Sequence, residues 1–318
     1  MEPLFLKPAT KDYLWGGTRL KEEFNKDSEY DIVAETWECS VHPDGLSVIV
    51  NGMYSGKTLK EVIDLYPEIM GAKYCQCEEL PIMIKFIDAA KDLSVQVHPN
   101  DEYARAYENQ NGKTEMWYIL DASEDAKLIY GFEEGVSKET FVEAIETGRI
   151  MECLRQVPIR KGESYLIPAG TVHAIGAGTL IAEIQENSNV TYRLYDYDRV
   201  DKDGNKRELH LEKALEVSVF DTPSDNKSGK KLYSDDNYTL AELSKCEYFT
   251  VNKYDVKNSC SISVEKETFH VILCVDGAAM LNCADKKFSI SKGQCVFLPA
   301  GIGKCDIVGN VEILNIIG

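Results

Sequence analysis

No stretch of this 318-residue sequence approaches the roughly 20 consecutive apolar residues that a membrane-spanning helix needs. The opening residues, MEPLFLKPATKDYLWGG, carry neither a basic leader nor a long apolar segment, and a proline interrupts them early. These features predict a cytoplasmic protein. Positive charge is scarce too: 35 Lys and Arg stand against 53 Asp and Glu, a net charge of −18. That balance argues against nucleic acid or a membrane surface as a partner. An anionic ligand would have to be gathered by local cations against the global field. The 10 cysteines form no CxxC pair, so we expect them mostly as small core hydrophobes. Cys75-Gln-Cys77 offers two soft ligands, but no second pair follows.

The remaining composition, 44% hydrophobic and 28% charged, is that of a globular protein. The length exceeds what one compact core usually holds, which predicts two domains or one large core with insertions. Short runs such as LSVIVNG, PIMIKFID, LSVQVHP, EMWYIL, TLIAEIQ, FTVNKYDV and FHVILCVDG are bounded by Gly, Pro, Asn and Asp. That punctuation predicts a mainly β sandwich or barrel. Three helices should interrupt it. Thr58-Leu-Lys-Glu61 is a capping box; Ser137 caps a helix carrying Phe141, Val142, Ile145, Ile150 and Leu154; LHLEKALEVSV begins at Leu209. The polar, turn-rich residues 221–231 read as a linker between a domain at 1–220 and a smaller one at 232–318.

One motif occurs twice. KGESYLIPAGTVHAIG, from Lys161, returns as KGQCVFLPAGIGKCDIV, from Lys292. Each copy has a glycine, then proline six residues on, then a second glycine. Three residues further stand His173 in the first copy and Lys304 in the second. Upstream, EMWYILDA from Glu115 aligns with HVILCVDG from His270. Two β domains of one ancestry follow, the second without the matching donors. The first copy resembles the second conserved motif of the cupin jelly rolls, where the turn aims its histidine into a barrel to ligate a metal.

In Ser94-Val-Gln96-Val-His98-Pro, strand alternation puts Gln96 and His98 on one face. Burying such a pair is costly unless something occupies it. Glu115 opens the next strand, so Gln96, His98, Glu115 and His173 make a cage of N and O donors. That set suits one catalytic Zn²⁺ per chain, and its oxygens would also accept Mn²⁺ or Fe²⁺. A single carboxylate leaves the loaded site at +1, able to stabilise a developing oxyanion. Alternation also places Thr179, Ile181, Glu183 and Gln185 on one strand face. Of the other histidines, His42 sits in a turn, His210 precedes a helix, and His270 belongs to the second copy.

Joined together, SVQVHP, GKTEMW and PAGTVHAIGAGTLIAEIQENSNVTYRLYDYDR resemble the type I mannose-6-phosphate isomerases, especially the shorter bacterial form. LWGG near Trp15, AETWECSVHPDG and LPIMIKFIDA extend the resemblance over nearly the whole chain. It implies two cupin-like jelly-roll β domains with helical insertions. It also implies zinc-dependent interconversion of mannose 6-phosphate and fructose 6-phosphate by proton transfer between C1 and C2. By motif position, Gln96, His98, Glu115 and His173 fall on the family's metal ligands and Arg193 on its active-site arginine. Lys113 and Glu183 fall on pocket positions, and Ser94, Lys85, Glu35 and Trp15 match substrate-binding positions more loosely. The base is left open among Glu183, Lys113 and a water held by the metal. Arg193 offers a planar fork for phosphate or enediolate, with a surface ion pair to Asp196 or Asp198 as its competing use. The partner is a phosphorylated hexose, and a monomer is the default. Two other readings compete: a sugar-phosphate-binding cupin without catalysis, and another cupin metalloenzyme, an oxygenase or epimerase. Gln96 suits a two-His-one-carboxylate iron site poorly.

Overall fold

The computed structural model describes residues 1–200, 204–221, 223 and 229–318. The fold is mainly β, in two jelly-roll barrels with helical insertions. The first barrel pairs a six-stranded sheet with a five-stranded one, all antiparallel. The larger sheet runs in the order Ser164–Ile167, Glu115–Ala122, Thr179–Glu186, Ile82–Ala89, Glu35–Cys39, Ala9–Lys11. The smaller runs Tyr192–Tyr195, Val95–Val97, His173–Ile175, Lys127–Phe132, Leu154–Pro158. Trp117, Ile119, Ile181 and Tyr165 of the larger sheet share one core with Leu128, Tyr130, Val157 and Ile175 of the smaller. The two sheets therefore face each other.

Both outer faces are covered as well, which is why strands such as Ile82–Ala89 are buried at every residue and show no strict apolar–polar alternation. Helices Lys138–Glu146 and Leu211–Val217 pack over the smaller sheet through Phe141 and Ala214. The outer face of the larger sheet (Ile82, Ile84, Phe86, Met116, Tyr118, Ile184) packs on Val251, Phe269, Val271, Phe297 and Leu314 of the C-terminal barrel. The C-terminal barrel thus seals the back of the larger sheet. Its ten-stranded sheet also takes in Leu4–Lys7, which pairs with Cys295–Leu298, and Val48–Ile49. The N-terminal strand is therefore built into the C-terminal sheet. Lys230 and Lys231 of the expected linker start strand Lys230–Ser234, while residues 222 and 224–228 of it lie outside the described residues.

The Thr58 capping box forms on helix Leu59–Leu65, with Thr58 Oγ1 accepting from Glu61 N at 3.1 Å and Glu61 Oε2 accepting from Thr58 N at 2.7 Å. Ser137 caps its helix, yet that helix stops at Glu146. Gly148, at φ 70°, turns the chain; Ile150 enters a 3₁₀ turn and Leu154 opens a strand. Helices Arg19–Phe24 and Asp101–Tyr107 were not expected from the pattern, both being too short for an apolar period to show. Cys283 and Cys305, register partners across two strands, are joined as a disulfide where thiols were expected; the other eight are thiols.

The repeat is structural. In the first copy Gly162 donates to Ile119 O, Glu163 O accepts from Ile119 N, and Thr171 donates to Pro168 O. The second copy repeats each bond through Gly293 to Cys274, Cys274 to Gln294 and Ile302 to Pro299. All four motif glycines are left-handed, with φ of 90° and 88° in the first copy and 88° and 74° in the second. Glu115 pairs with Ile167 as His270 pairs with Leu298. The copies part after the second glycine. Where Val172 is buried, the second copy has Gly303 at φ 84°. Beyond it Lys304 is exposed and pairs with Asp306 at 2.9 Å, while Cys305 and Ile307 fill the barrel. The strand shows its other face, so no side chain corresponding to His173 enters that barrel.

Candidate active site

Two register rows face each other inside the first barrel. Across the larger sheet, Trp37 pairs with Lys85, Lys85 with Glu183, and Glu183 with Trp117. Across the smaller sheet, Arg193 pairs with Gln96, Gln96 with His173, and His173 with Tyr130. Polar residues on the inner face of a barrel strand are thereby stacked into two opposed lines. Between them lies a cavity of about 390 Å³, lined by Trp15, Glu35, Lys85, Ser94, Gln96, Lys113, Glu183 and Arg193 among others. Every pocket residue singled out from the sequence is on that wall.

His98, Glu115 and His173 lie deeper, at 1%, 0% and 1% exposure. One donor atom from each lies within 4.8 Å of the others, and among the described residues this is the one such cluster of His, Cys, Asp or Glu. Glu115 Oε2 is 3.5 Å from His98 Nε2, and Oε1 is 3.4 Å from His173 Nε2. Gln96 Nε2 is 3.3 Å from His173 Nε2. Each imidazole is tied down at its other nitrogen: His98 Nδ1 is 2.8 Å from Val190 O and His173 Nδ1 is 2.9 Å from Thr171 O. A carbonyl only accepts, so both Nδ1 atoms carry the proton and both Nε2 lone pairs face Glu115.

Burial, then the Lys113 ammonium, pushes His98 down to about 3; burial also lowers His173. Both rings are neutral at pH 7, as metal ligands must be. Burial alone would raise the Glu115 carboxyl, but the Lys113 ammonium beside it holds it well below the usual range. Lys113 Nζ contacts Glu115 Oε2 and lies 3.1 Å from His98 Nε2. Glu115 Oε1 is buried with no hydrogen-bond donor. An orphaned carboxylate oxygen facing two imidazole lone pairs is what a divalent cation satisfies, so the residues fit a metal.

The facing row is an ion-pair network. Glu183 Oε2 accepts from Trp117 Nε1 at 2.9 Å; its Oε1 is 3.2 Å from Lys85 Nζ and 3.8 Å from Lys113 Nζ. Lys85 is also 3.8 Å from Glu35, which accepts from Trp37 Nε1 at 2.8 Å. Burial would lower the Lys85 ammonium, but Glu183 and Glu35 outweigh it and raise it. Gln185, on the same face as Glu183, spends its amide on Glu186 O and Ser188 O. Arg193 donates Nε to Ser94 Oγ at 3.2 Å and Nη1 to Glu208 O at 2.9 Å; it forms neither of the competing ion pairs, and Asp196 takes Arg199 and Arg207 instead. Tyr13, Asn189, Thr191 and Arg207 also line the cavity and were not anticipated. They come from irregular segments, where no period marks which way a side chain points.

Fold and site define a two-barrel cupin with its polar chemistry confined to one barrel. Residues 4–129 match the model for the phosphomannose isomerase type I catalytic domain, and residues 239–317 that for the mannose-6-phosphate isomerase cupin domain. The chain is 40% identical over 98% of both chains to mannose-6-phosphate isomerase ManA of Bacillus subtilis. It is 34% identical to the mannose-6-phosphate isomerase of Streptococcus mutans, covering 98% of this chain and 97% of that one. The crystal structure of mannose 6-phosphate isomerase from Bacillus subtilis superposes with a TM-score of 0.93, at 35% identity and 99% coverage of each chain. The chain belongs to the type I mannose-6-phosphate isomerase family.

Proposed function

We propose that this protein interconverts mannose 6-phosphate and fructose 6-phosphate by moving a proton between C1 and C2 through an enediol. The observation that carries the reading is the His98–Glu115–His173 cluster, with both imidazole tautomers fixed and one carboxylate oxygen unpartnered, opening on a cationic cavity. Gln96, His98, Glu115 and His173 would hold one Zn²⁺, preferred over Mn²⁺ or Fe²⁺ for a site with two imidazoles. When bound, the ion supplies Lewis-acid stabilisation of charge on the sugar oxygens. Ser94, Glu35, Lys85 and Trp15 line the cavity and orient the sugar. Lys113 and Glu183, 3.8 Å apart, stand on one side of it and are the groups placed to take and return the proton. Arg193, beside Gln96 in the register, brings a cation to the oxyanion.

Among the described residues no helix is long and apolar enough to cross a membrane. The test is a coupled assay with mannose 6-phosphate. Turnover that chelator abolishes and Zn²⁺ restores is expected. Zinc-loaded protein that binds the sugar phosphate without turning it over would point instead to a binding module.

A further inference from the structure

The mouth of the cavity holds a cluster that the chemistry at C1 and C2 does not use. Strand Tyr192–Tyr195 ends in a turn whose Tyr197 and Asp198 are both left-handed, at φ 55°. Such a backbone is costly for non-glycine residues and persists where the surroundings enforce it. Asp196 closes this turn, its carbonyl accepting from Arg199 N at 3.1 Å. Its carboxylate, 6% exposed, takes Arg199 through Nη2 and Arg207 through Nε at 2.7 Å and Nη2. Arg207 is thus clamped in a two-point fork, and it is one of the residues lining the cavity. Arg193 lines the same wall and has no carboxylate at ion-pair distance among the described residues.

Charge counting sets this wall apart. Lys85 is answered by Glu35 and Glu183, and Lys113 by Glu115. Beside the mouth, Arg199 and Arg207 share one buried carboxylate and Arg193 has none within ion-pair reach, a surplus of +2 over these four groups in a chain of net −18. Nearby, Asp198 is answered by Lys206, and the exposed Glu208 carboxylate sits 4.0 Å from His210. Burial, then the neighbouring Arg207, lowers the Arg193 guanidinium, outweighing the opposite pull of Asp196. Arg193 is two strands from His173 along the register row, roughly 10 Å. The phosphate of a hexose 6-phosphate lies at the opposite end of the sugar from C1 and C2.

We infer that Arg207, held by Asp196, is the phosphate-specificity residue of this enzyme, gripping the dianion at the cavity mouth. The inference rests on the isomerase reading for its substrate, but its first test does not. Binding of inorganic phosphate to the zinc-loaded protein, followed by calorimetry, needs no turnover. Arg207→Gln should weaken it roughly tenfold or more, with Arg207→Lys intermediate because charge stays and the fork is lost. Arg199→Gln removes an equal charge from the same carboxylate but no cavity-lining group, and should change affinity far less. In turnover, Arg207→Gln should raise KM for mannose 6-phosphate by a similar factor with kcat nearly unchanged. Equal phosphate affinity in wild type and Arg207→Lys would overturn the inference, as would equal losses from Arg199→Gln and Arg207→Gln. Wild-type protein that binds phosphate but does not isomerise the sugar phosphate would sink the isomerase reading alone.

Discussion

Two imidazoles in this barrel are set by the backbone. Val190 O and Thr171 O take the Nδ1 protons of His98 and His173 and so aim both Nε2 lone pairs at Glu115. A ligand residue and a cation residue should then fail differently. His173→Ala should lose the metal, whereas Arg193→Ala should keep about one zinc per chain and lose on the order of 100-fold in kcat. Zinc loss from Arg193→Ala would make that residue structural. Glu186 gives a pH signature. Burial pushes its carboxyl up to about 7, while its Oε1 accepts from Thr114 N at 2.6 Å. A raised acid binds its proton more tightly when folded, so its contribution to stability is complete below about 4.5 and is lost as pH rises through 7. Glu186→Gln keeps the acceptor without the titration. Denaturant melts of the variant should therefore show less decline between pH 5 and 7 than wild type.

At the level of elements, the proline turn decides where His173 goes. Gly170 donates its N–H to His98 O, and a Cβ there would meet Val217 O at 2.9 Å and a Val219 methyl at 2.7 Å. Gly162 has the same left-handed backbone and open space around it. Gly162→Ala should cost only its backbone strain, about 1–2 kcal/mol. Gly170→Ala should cost more and also weaken zinc affinity, because it moves two strands that carry ligands. Equal effects in thermal melts and zinc titration would contradict this. Much of this scale was legible in the sequence. Capping boxes are local hydrogen-bond patterns, and the repeated Gly-Pro-Gly spacing encodes one turn twice. The end of the Ser137 helix was not, since Ile150 and Leu154 keep a helical period that Gly148 interrupts. Gln96, His98, Glu115 and His173 were legible because each sits on a strand or beside a fixed turn. Arg207 was not, because an irregular segment delivers it and only the fold brings it to Asp196.

Across the whole molecule, the sterile barrel supports the polar one. Its Leu314, fully buried, packs in the core that also holds Phe86 and Met116 from the back of the larger sheet. The N-terminal strand stitches the two together through Cys295–Leu298. Leu314→Ala should therefore destabilise the protein by about 2–5 kcal/mol and lower the melting of both barrels together, in one transition. Two separated transitions, with zinc retained through the first, would mean the barrels are independent. No residue pattern announced that shared core, because apolar runs buried on both faces look alike whichever neighbour covers them. The surplus of arginine at the cavity mouth is likewise a property of the assembled chain: the sequence as a whole is acidic.

Zinc content per chain, measured by elemental analysis on wild type, His173→Ala and Lys304→Ala after incubation with Zn²⁺ and desalting, tests the central claim most directly. About one, none and about one are expected. Wild-type protein that is folded yet empty, or His173→Ala that retains the metal, would contradict it.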